Sequence, residues 1–254
     1  MTYQPPFAIT DSILQAIVEI SEIHGRWSVK GKSGLTPKLR RQNRIRTIYA
    51  SLAIENNSLT EKQVSAVIEG KMVLGHPREI HEVRNAFAAY EKMESWKPSS
   101  MEDLLQAHEI LMSALIDEAG KFRSGLVGVY RDKTLVHLAP PPDRVPHLMQ
   151  DLLNWLGKTK THPLIASCVF HYEFEFIHPF SDGNGRMGRL WQSLILSEWQ
   201  PLFSFLPVET IVHKKQAQYY RALNACNKSG NSTAFIEFML NAILTAMKEL
   251  QSNV

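Results

Sequence analysis

Twelve consecutive residues constrain this chain more than any other stretch. His178-Pro179-Phe180-Ser181-Asp182-Gly183-Asn184-Gly185-Arg186-Met187-Gly188-Arg189 hold one imidazole, one carboxylate, two guanidiniums and three glycines. Apolar segments that read as helices flank them, 163–176 before and 186–199 after. In the first, Ala166, Phe170 and Phe174 recur at four, and Ile165, Val169, Tyr172 and Phe176 form a second row at helical spacing. A short glycine loop opening onto a helix exposes unpaired backbone N–H groups, and the helix dipole adds positive character there. That is an anion site, with phosphate its usual occupant. Asp182 can hold a divalent cation, which tends to bridge phosphate oxygens using few protein ligands. Arg186 and Arg189, three apart on a helix, can contact further phosphate oxygens. His178 is the group here able to take a proton near neutral pH. Base, metal ligand, anion cradle and phosphate clamp together point to transfer from a nucleotide to a hydroxyl.

The same letters contain a competing motif. Gly183, Gly185 and Gly188 match G-x-G-x-x-G, and Glu209 lies about where a ribose-binding acid is sought. That fingerprint requires a strand before the glycines. The helical spacing of 163–176 contradicts it, and a P-loop is excluded because no Gly-Lys-Ser/Thr follows.

The rest of the chain reads as a globular helical protein. Hydrophobic residues are 44% and charged residues 21% of 254, ordinary values for such a chain. A net charge of +3 demands neither nucleic acid nor an anionic membrane. The two cysteines, Cys168 and Cys226, are too few for a disulfide scaffold or a zinc cluster and fit a reducing, cytoplasmic setting. No apolar run approaches the 18 or so residues of a membrane span, and residues 1–10 carry no signal region. A first helix is expected from Thr10 or Asp11 to about Gly25, and a loop over 27–35. Thr36-Pro37 opens a second helix over about 37–56, basic through Lys38, Arg40, Arg41, Arg44 and Arg46. Without interleaved aromatics it reads as a solvated face, so no direct nucleic-acid binding is expected.

Thr60 and Gln63 form a capping box for a helix to Ile68. A further helix is expected over 77–96, with His76 and His81 as capping or surface residues. Lys97-Pro98-Ser99-Ser100 reads as a linker between a region 1–97 and a core region 98–250. Ser100 caps a helix on which His108 reads as a satisfied core histidine. Residues 126–139 break the helical pattern and form a hairpin around Asp132-Lys133. A helix over 213–227 carries Tyr219, Tyr220 and Asn227, and Cys168 reads as core packing.

The 178–189 stretch fills every fixed position of H-P-F-x-[DE]-G-N-G-R-x-x-R, and on it the chain resembles the Fic family, the protein AMP-transferases. The resemblance implies an all-α helical bundle with a small β-hairpin flap. It implies ATP and Mg²⁺, and attack of a target Ser, Thr or Tyr hydroxyl on the α-phosphorus of ATP. His178 would be the base and Asp182 the metal ligand. Gly183, Asn184, Gly185, Arg186 and Gly188 would cradle the phosphates, with Arg189 on the γ-phosphate. Ser51, Glu55 and Asn56 match the family's inhibitory pattern [ST]-x-x-x-E-[GN], in which Glu55 would pair with Arg189. Tyr219, Tyr220 and Asn227 would contact adenosine, and Leu135, Val136 and His137 would form the flap edge that clamps a target backbone. The Doc kinase branch replaces the first motif glycine by lysine, and Gly183 argues against it. Two other readings stay open: removal of AMP, with Glu55 orienting water, and a non-catalytic nucleotide-binding regulator. The implied partner is a protein substrate, the chain itself among the candidates, with a homodimer as one possible assembly.

Overall fold

The helices begin where the sequence supplies side-chain caps. The structure, a computed structural model, describes residues 3–29, 36–131 and 134–251. Thr10 Oγ1 accepts the Ile13 N–H at 3.2 Å and starts α1 (Asp11–Val29). This helix runs through Gly25 rather than ending there, since Ile23 and the half-buried Trp27 hold both sides of the glycine on the core. The expected loop is thus helical at 27–29, and 30–35 lie outside the described residues.

Thr36 Oγ1 accepts the Leu39 N–H at 3.2 Å and opens α2 (Pro37–Ile54). Its face is not simply solvated. Asn43 and Arg44 are buried, Arg44 because the aromatic rings of Tyr90 and Phe205 receive its guanidinium. The helix ends on Asn56 at φ 66°, whose N–H reaches the Ala53 carbonyl at 3.1 Å, while the Asn57 N–H reaches Leu52 O at 3.1 Å. Asparagine tolerates this left-handed position better than most residues, and the pair of bonds closes the helix.

The Thr60–Gln63 capping box starts α3 (Glu61–Ile68), and His76 caps α4 (Pro77–Lys92) through Nδ1. Ser100 Oγ accepts the Asp103 N–H at 3.2 Å to begin α5 (Met101–Met112). The hairpin pairs β1 (Gly128–Arg131) antiparallel with β2 (Thr134–Leu138), with a register shift between Val129 and Tyr130. Its expected turn, Asp132-Lys133, lies outside the described residues. Then follow α6 (Val145–Lys158), α7 (Pro163–Ile177), α8 (Asn184–Trp199), α9 (Val208–Lys214), α10 (Gln216–Ser229) and α11 (Thr233–Gln251). The single helix expected over 213–227 is two, because Lys215 leaves helical geometry at φ −111°, ψ 28°.

The all-α architecture is built around α7, buried at nearly every position from Leu164 to Phe174. It packs against α8, and Gly188 permits the close approach: a Cβ there would lie 2.8 Å from His171 Cδ2. Around this pair α1 lies on α11, and α2 lies on α9 and α8. One buried apolar cluster runs through both sides of 97–100, and the Pro98 carbonyl within that segment accepts the Trp191 indole N–H at 2.9 Å. No helix among the described residues is long and apolar enough to cross a membrane.

Candidate active site

The loop between α7 and α8 is shaped by its own sequence and by three side chains from elsewhere. His178 ends α7 in the left-handed conformation, φ 51°, its N–H on Phe174 O at 2.9 Å. Gly183, at φ 84°, caps α8, and a Cβ on it would lie 2.7 Å from Met112 Sδ. Between them the Asn184 amide spans the turn. Its Oδ1 accepts the Phe180 N–H at 2.9 Å and its Nδ2 donates to Phe180 O at 2.8 Å. The Asn184 side chain therefore holds the loop, and only its backbone N–H remains for an anion.

His108, read from sequence as a satisfied core residue, also supports this loop. Gly120 N–H donates to its Nδ1 at 3.0 Å, so Nε2 carries the proton and donates to Asp182 O at 3.0 Å. Its ring stacks on Phe180 at 3.6 Å, and burial pushes its pKa down to about 4. Arg123 has no signal in the sequence pattern. Buried at 3% exposure, it donates from Nε to His178 O at 2.7 Å, from Nη1 to Gly125 O at 2.8 Å and from Nη2 to Pro140 O at 2.5 Å. Its backbone N–H meets Pro179 O at 3.0 Å. One guanidinium thus joins the catalytic-type loop to both stems of the hairpin.

His178 Nδ1 lies 3.4 Å from the Glu175 carbonyl, which can only accept, leaving Nε2 as the basic nitrogen. Glu173 and Glu175, two apart on α7, point to different partners. Glu173 accepts from Tyr3 Oη at 2.7 Å, whereas Glu175 Oε2 stands 4.0 Å from His178 Nδ1. Glu175 Oε1 is buried without a hydrogen-bond partner, and burial raises its carboxyl pKa to about 7, with Arg189 pulling it back and Glu55 adding to the rise.

Asp182 is part of a charged network. Its Oδ1 accepts from Gly183 N–H at 2.6 Å and from Arg186 Nη2 at 3.0 Å, and Oδ2 faces Arg78 Nη2 at 3.4 Å. Arg186 also faces Glu82 at 3.5 Å. The Gly183 N–H is therefore engaged, and the N–H groups ahead of the first helical bond, Met187 N to Gly183 O, are those of Asn184, Gly185 and Arg186. A single half-exposed carboxylate suits Mg²⁺, which keeps waters and phosphate oxygens as its other ligands, and the His108 imidazole nearby is spent on the Asp182 carbonyl. Among the described residues no group of three or more His, Cys, Asp or Glu could hold a metal unaided.

Arg189 is buried at 2% exposure. Nε donates to Ser51 Oγ at 3.1 Å, and Nη2 donates to Ser51 O at 2.9 Å and to Glu55 Oε1 at 2.7 Å. Burial alone would lower its pKa, but the Glu55 carboxylate raises it above the usual arginine range. A Cβ on Gly185 would run into the same carboxylate, so Glu55 stands against the first turn of α8. Ser51 and Glu55 thus meet the motif, and Asn56 shapes the helix end that presents them.

The other expected site residues are distributed unevenly. Tyr219 is in the core with its hydroxyl 3.1 Å from His171 Nε2, so it presents no open face to a ligand. Half-buried Tyr220 and Asn227 lie on α10, and Asn227 Oδ1 accepts from Tyr172 Oη at 3.2 Å. The backbone of Leu135, Val136 and His137 forms β2, which lies beside α10. Glu209, the acid of the rejected dinucleotide reading, is buried against Tyr90 and Ser193.

A helical bundle carrying a basic imidazole and a phosphate-type cradle on one loop is the class these observations define. The Fic/DOC family model matches residues 98–196. A crystal structure of a Fic family protein from Desulfovibrio desulfuricans G20 is 61% identical, with a TM-score of 0.96 over 99% of this chain and 77% of that one. The chain belongs to the Fic family. It is 31% identical over 228 residues to the protein adenylyltransferase fic-1 of Caenorhabditis elegans, covering 82% of this chain and 42% of that protein. With the protein adenylyltransferase Fic of Nematostella vectensis the identity is 32% over 208 residues, 76% of this chain and 45% of that protein. The chain thus spans less than half the length of these two relatives.

Proposed function

We propose that the protein transfers AMP from ATP to a Ser, Thr or Tyr hydroxyl of a protein, its own side chains included, and that Glu55 restrains the reaction. The observation that carries this reading is the 2.7 Å contact of Glu55 with Arg189, made against the N-terminal turn of α8. A carboxylate there occupies ground that favours an anion and engages the arginine a terminal phosphate needs. The names of the nematode and sea-anemone relatives support the chemistry.

In the uninhibited state His178 Nε2 takes the hydroxyl proton as the oxygen bonds to the α-phosphorus. The bond from that phosphorus to its bridging oxygen breaks, and pyrophosphate leaves. The N–H groups of Asn184 and Gly185 face the charge on the phosphoryl oxygens, and Arg186 holds the phosphate tail. Mg²⁺ would be held by Asp182 and would neutralise phosphate charge. Arg189 takes the γ-phosphate once Glu55 leaves. With Glu55 in place the nucleotide lies out of line, and a misplacement near 1 Å costs about a hundredfold in rate.

Wild type, Glu55→Gly and Glu55→Gly/His178→Ala are incubated with Mg²⁺ and ATP, and intact mass reads the added AMP. The expected outcome is strong labelling of Glu55→Gly alone, with no phosphate transferred from γ-labelled ATP. Equal labelling of wild type and Glu55→Gly would remove the inhibitory role and leave the transfer.

A second reading has its own observation. Glu55 is 34% exposed and its Oε1 meets Arg189, which supports a reading in which Oε2 orients a water for removal of AMP. Release of AMP from a modified protein by wild type and not by Glu55→Gly would establish it.

A further inference from the structure

The N-terminal half of α2 carries a second polar site that the motif does not explain. A cavity of about 250 Å³ lies between α2, the end of α3, α4 and the 3₁₀ turn Pro201–Phe205. Ile68, Phe87 and Phe205 give it apolar walls, and Arg40, Arg41 and Arg44 give it charge, Arg40 from 5.2 Å over the Phe205 ring. Arg44 is 7% exposed, and its Nε and Nη1 are buried without hydrogen-bond partners. No carboxylate stands within ion-pair distance of it among the described residues. Its guanidinium carbon lies 5.1 Å from the Tyr90 ring centre and 5.2 Å from that of Phe205.

A buried charge is normally paired, and buried N–H donors are normally satisfied. Here aromatic rings supply cation–π contact, which does not satisfy N–H donors at the guanidinium edge. An oxyanion in the guanidinium plane would, with a small rotation of the side chain, satisfy one of these two nitrogens together with an Nη2 N–H, as a bidentate pair does. Arg41, 60% exposed and only 3.6 Å from Glu69, adds positive charge at the rim. Glu91 also lines the cavity and opposes a second negative charge. Three arginines, of which Arg41 is shared with Glu69, stand against Glu91, so the lining favours a small anion on a flat apolar body.

We propose that this cavity is a binding site for a small monoanionic aryl carboxylate, its carboxylate on Arg44 and its ring between Phe87, Phe205 and Ile68. The site is separate from the loop at 178–189 and rests on the fold alone, so its test is independent of AMP transfer. The probe is 4-fluorobenzoate, followed by ¹⁹F line broadening on the whole chain at concentrations up to about 10 mM, the weak end for so small a ligand. Binding is expected in wild type and in Arg186→Ala, which removes contacts with Asp182 and Glu82, neither of them in the cavity lining. It should weaken at least about tenfold in Arg44→Met, where the buried donor for the carboxylate is lost and only Arg40 and Arg41 remain. Ile68→Trp fills the cavity without removing charge and should also abolish binding, which keeps the test decisive if Arg44→Met folds poorly. Glu91→Gln should tighten binding and let phenyl phosphate compete. Undiminished binding in Ile68→Trp, loss confined to Arg186→Ala, or no binding by wild type would each overturn the proposal.

Discussion

The two elements that meet at Arg189 are held in different ways. The 178–184 loop is locked from behind: Arg123, His108 and Asn184 satisfy its backbone groups from buried positions, and none of those bonds involves a carboxylate. The end of α2 reaches the same arginine through Ser51 and through one carboxylate that is 34% exposed. On the proposed function, the difference separates a fixed cradle from a removable brake. Losing the first removes the geometry, while losing the second frees it.

The largest effect that could break this contrast is at Arg123. Arg123→Ala strands the carbonyls of His178, Gly125 and Pro140, and it should cost about 3 kcal/mol or more of stability, read from the urea midpoint. In a Glu55→Gly background it should also lower AMP transfer about a hundredfold. Full transfer by that double variant would show that the cradle does not depend on its staple.

Glu175 tests the seam between cradle and brake. Its carboxyl, at about 7 in the folded chain against an ordinary value of 4.5, binds more protons folded than unfolded between those pH values. Stability therefore falls as pH rises through that window. Glu175→Gln should match wild type near pH 4 and exceed it near pH 8 by on the order of 2 kcal/mol. Parallel stability curves for the two proteins would remove the shift.

A smaller effect is expected when the brake itself is cut. Glu55→Gly leaves Arg189 on Ser51 alone and should lower stability by about 1–2 kcal/mol, measured by thermal melting, even as transfer rises. The smallest is Asn56→Gly. Glycine suits φ 66° better than asparagine and should gain about 0.5 kcal/mol in the same melt.

Legibility followed chain distance. The 178–189 loop was readable because its base, carboxylate, glycines and arginines are contiguous, and the helix-capping residues Thr36, Thr60 and Ser100 announce themselves within three or four positions. Glu55 was readable only through the resemblance, since nothing local says that α2 crosses α8. Arg123, Arg78 and Glu82 were missed for the same reason: each reaches the site from another element, and an isolated arginine or glutamate reads as surface. Arg44 misled outright, because a basic run predicts solvent while Tyr90 and Phe205, remote in sequence, bury it. The break at Lys215 was hidden by continuous helical periodicity on both sides of it.

Arg123 meets only backbone carbonyls, and this gives the cradle an environmental independence that the brake lacks. Carbonyls do not titrate in any accessible pH range, and buried bonds to them are little screened by dissolved ions. The Glu55–Arg189 contact is a pair of opposite charges with one side open to solvent. On the proposed function, dissolved salt acts on the restraint only weakly, because Arg189 is buried, and on the machinery it restrains still less.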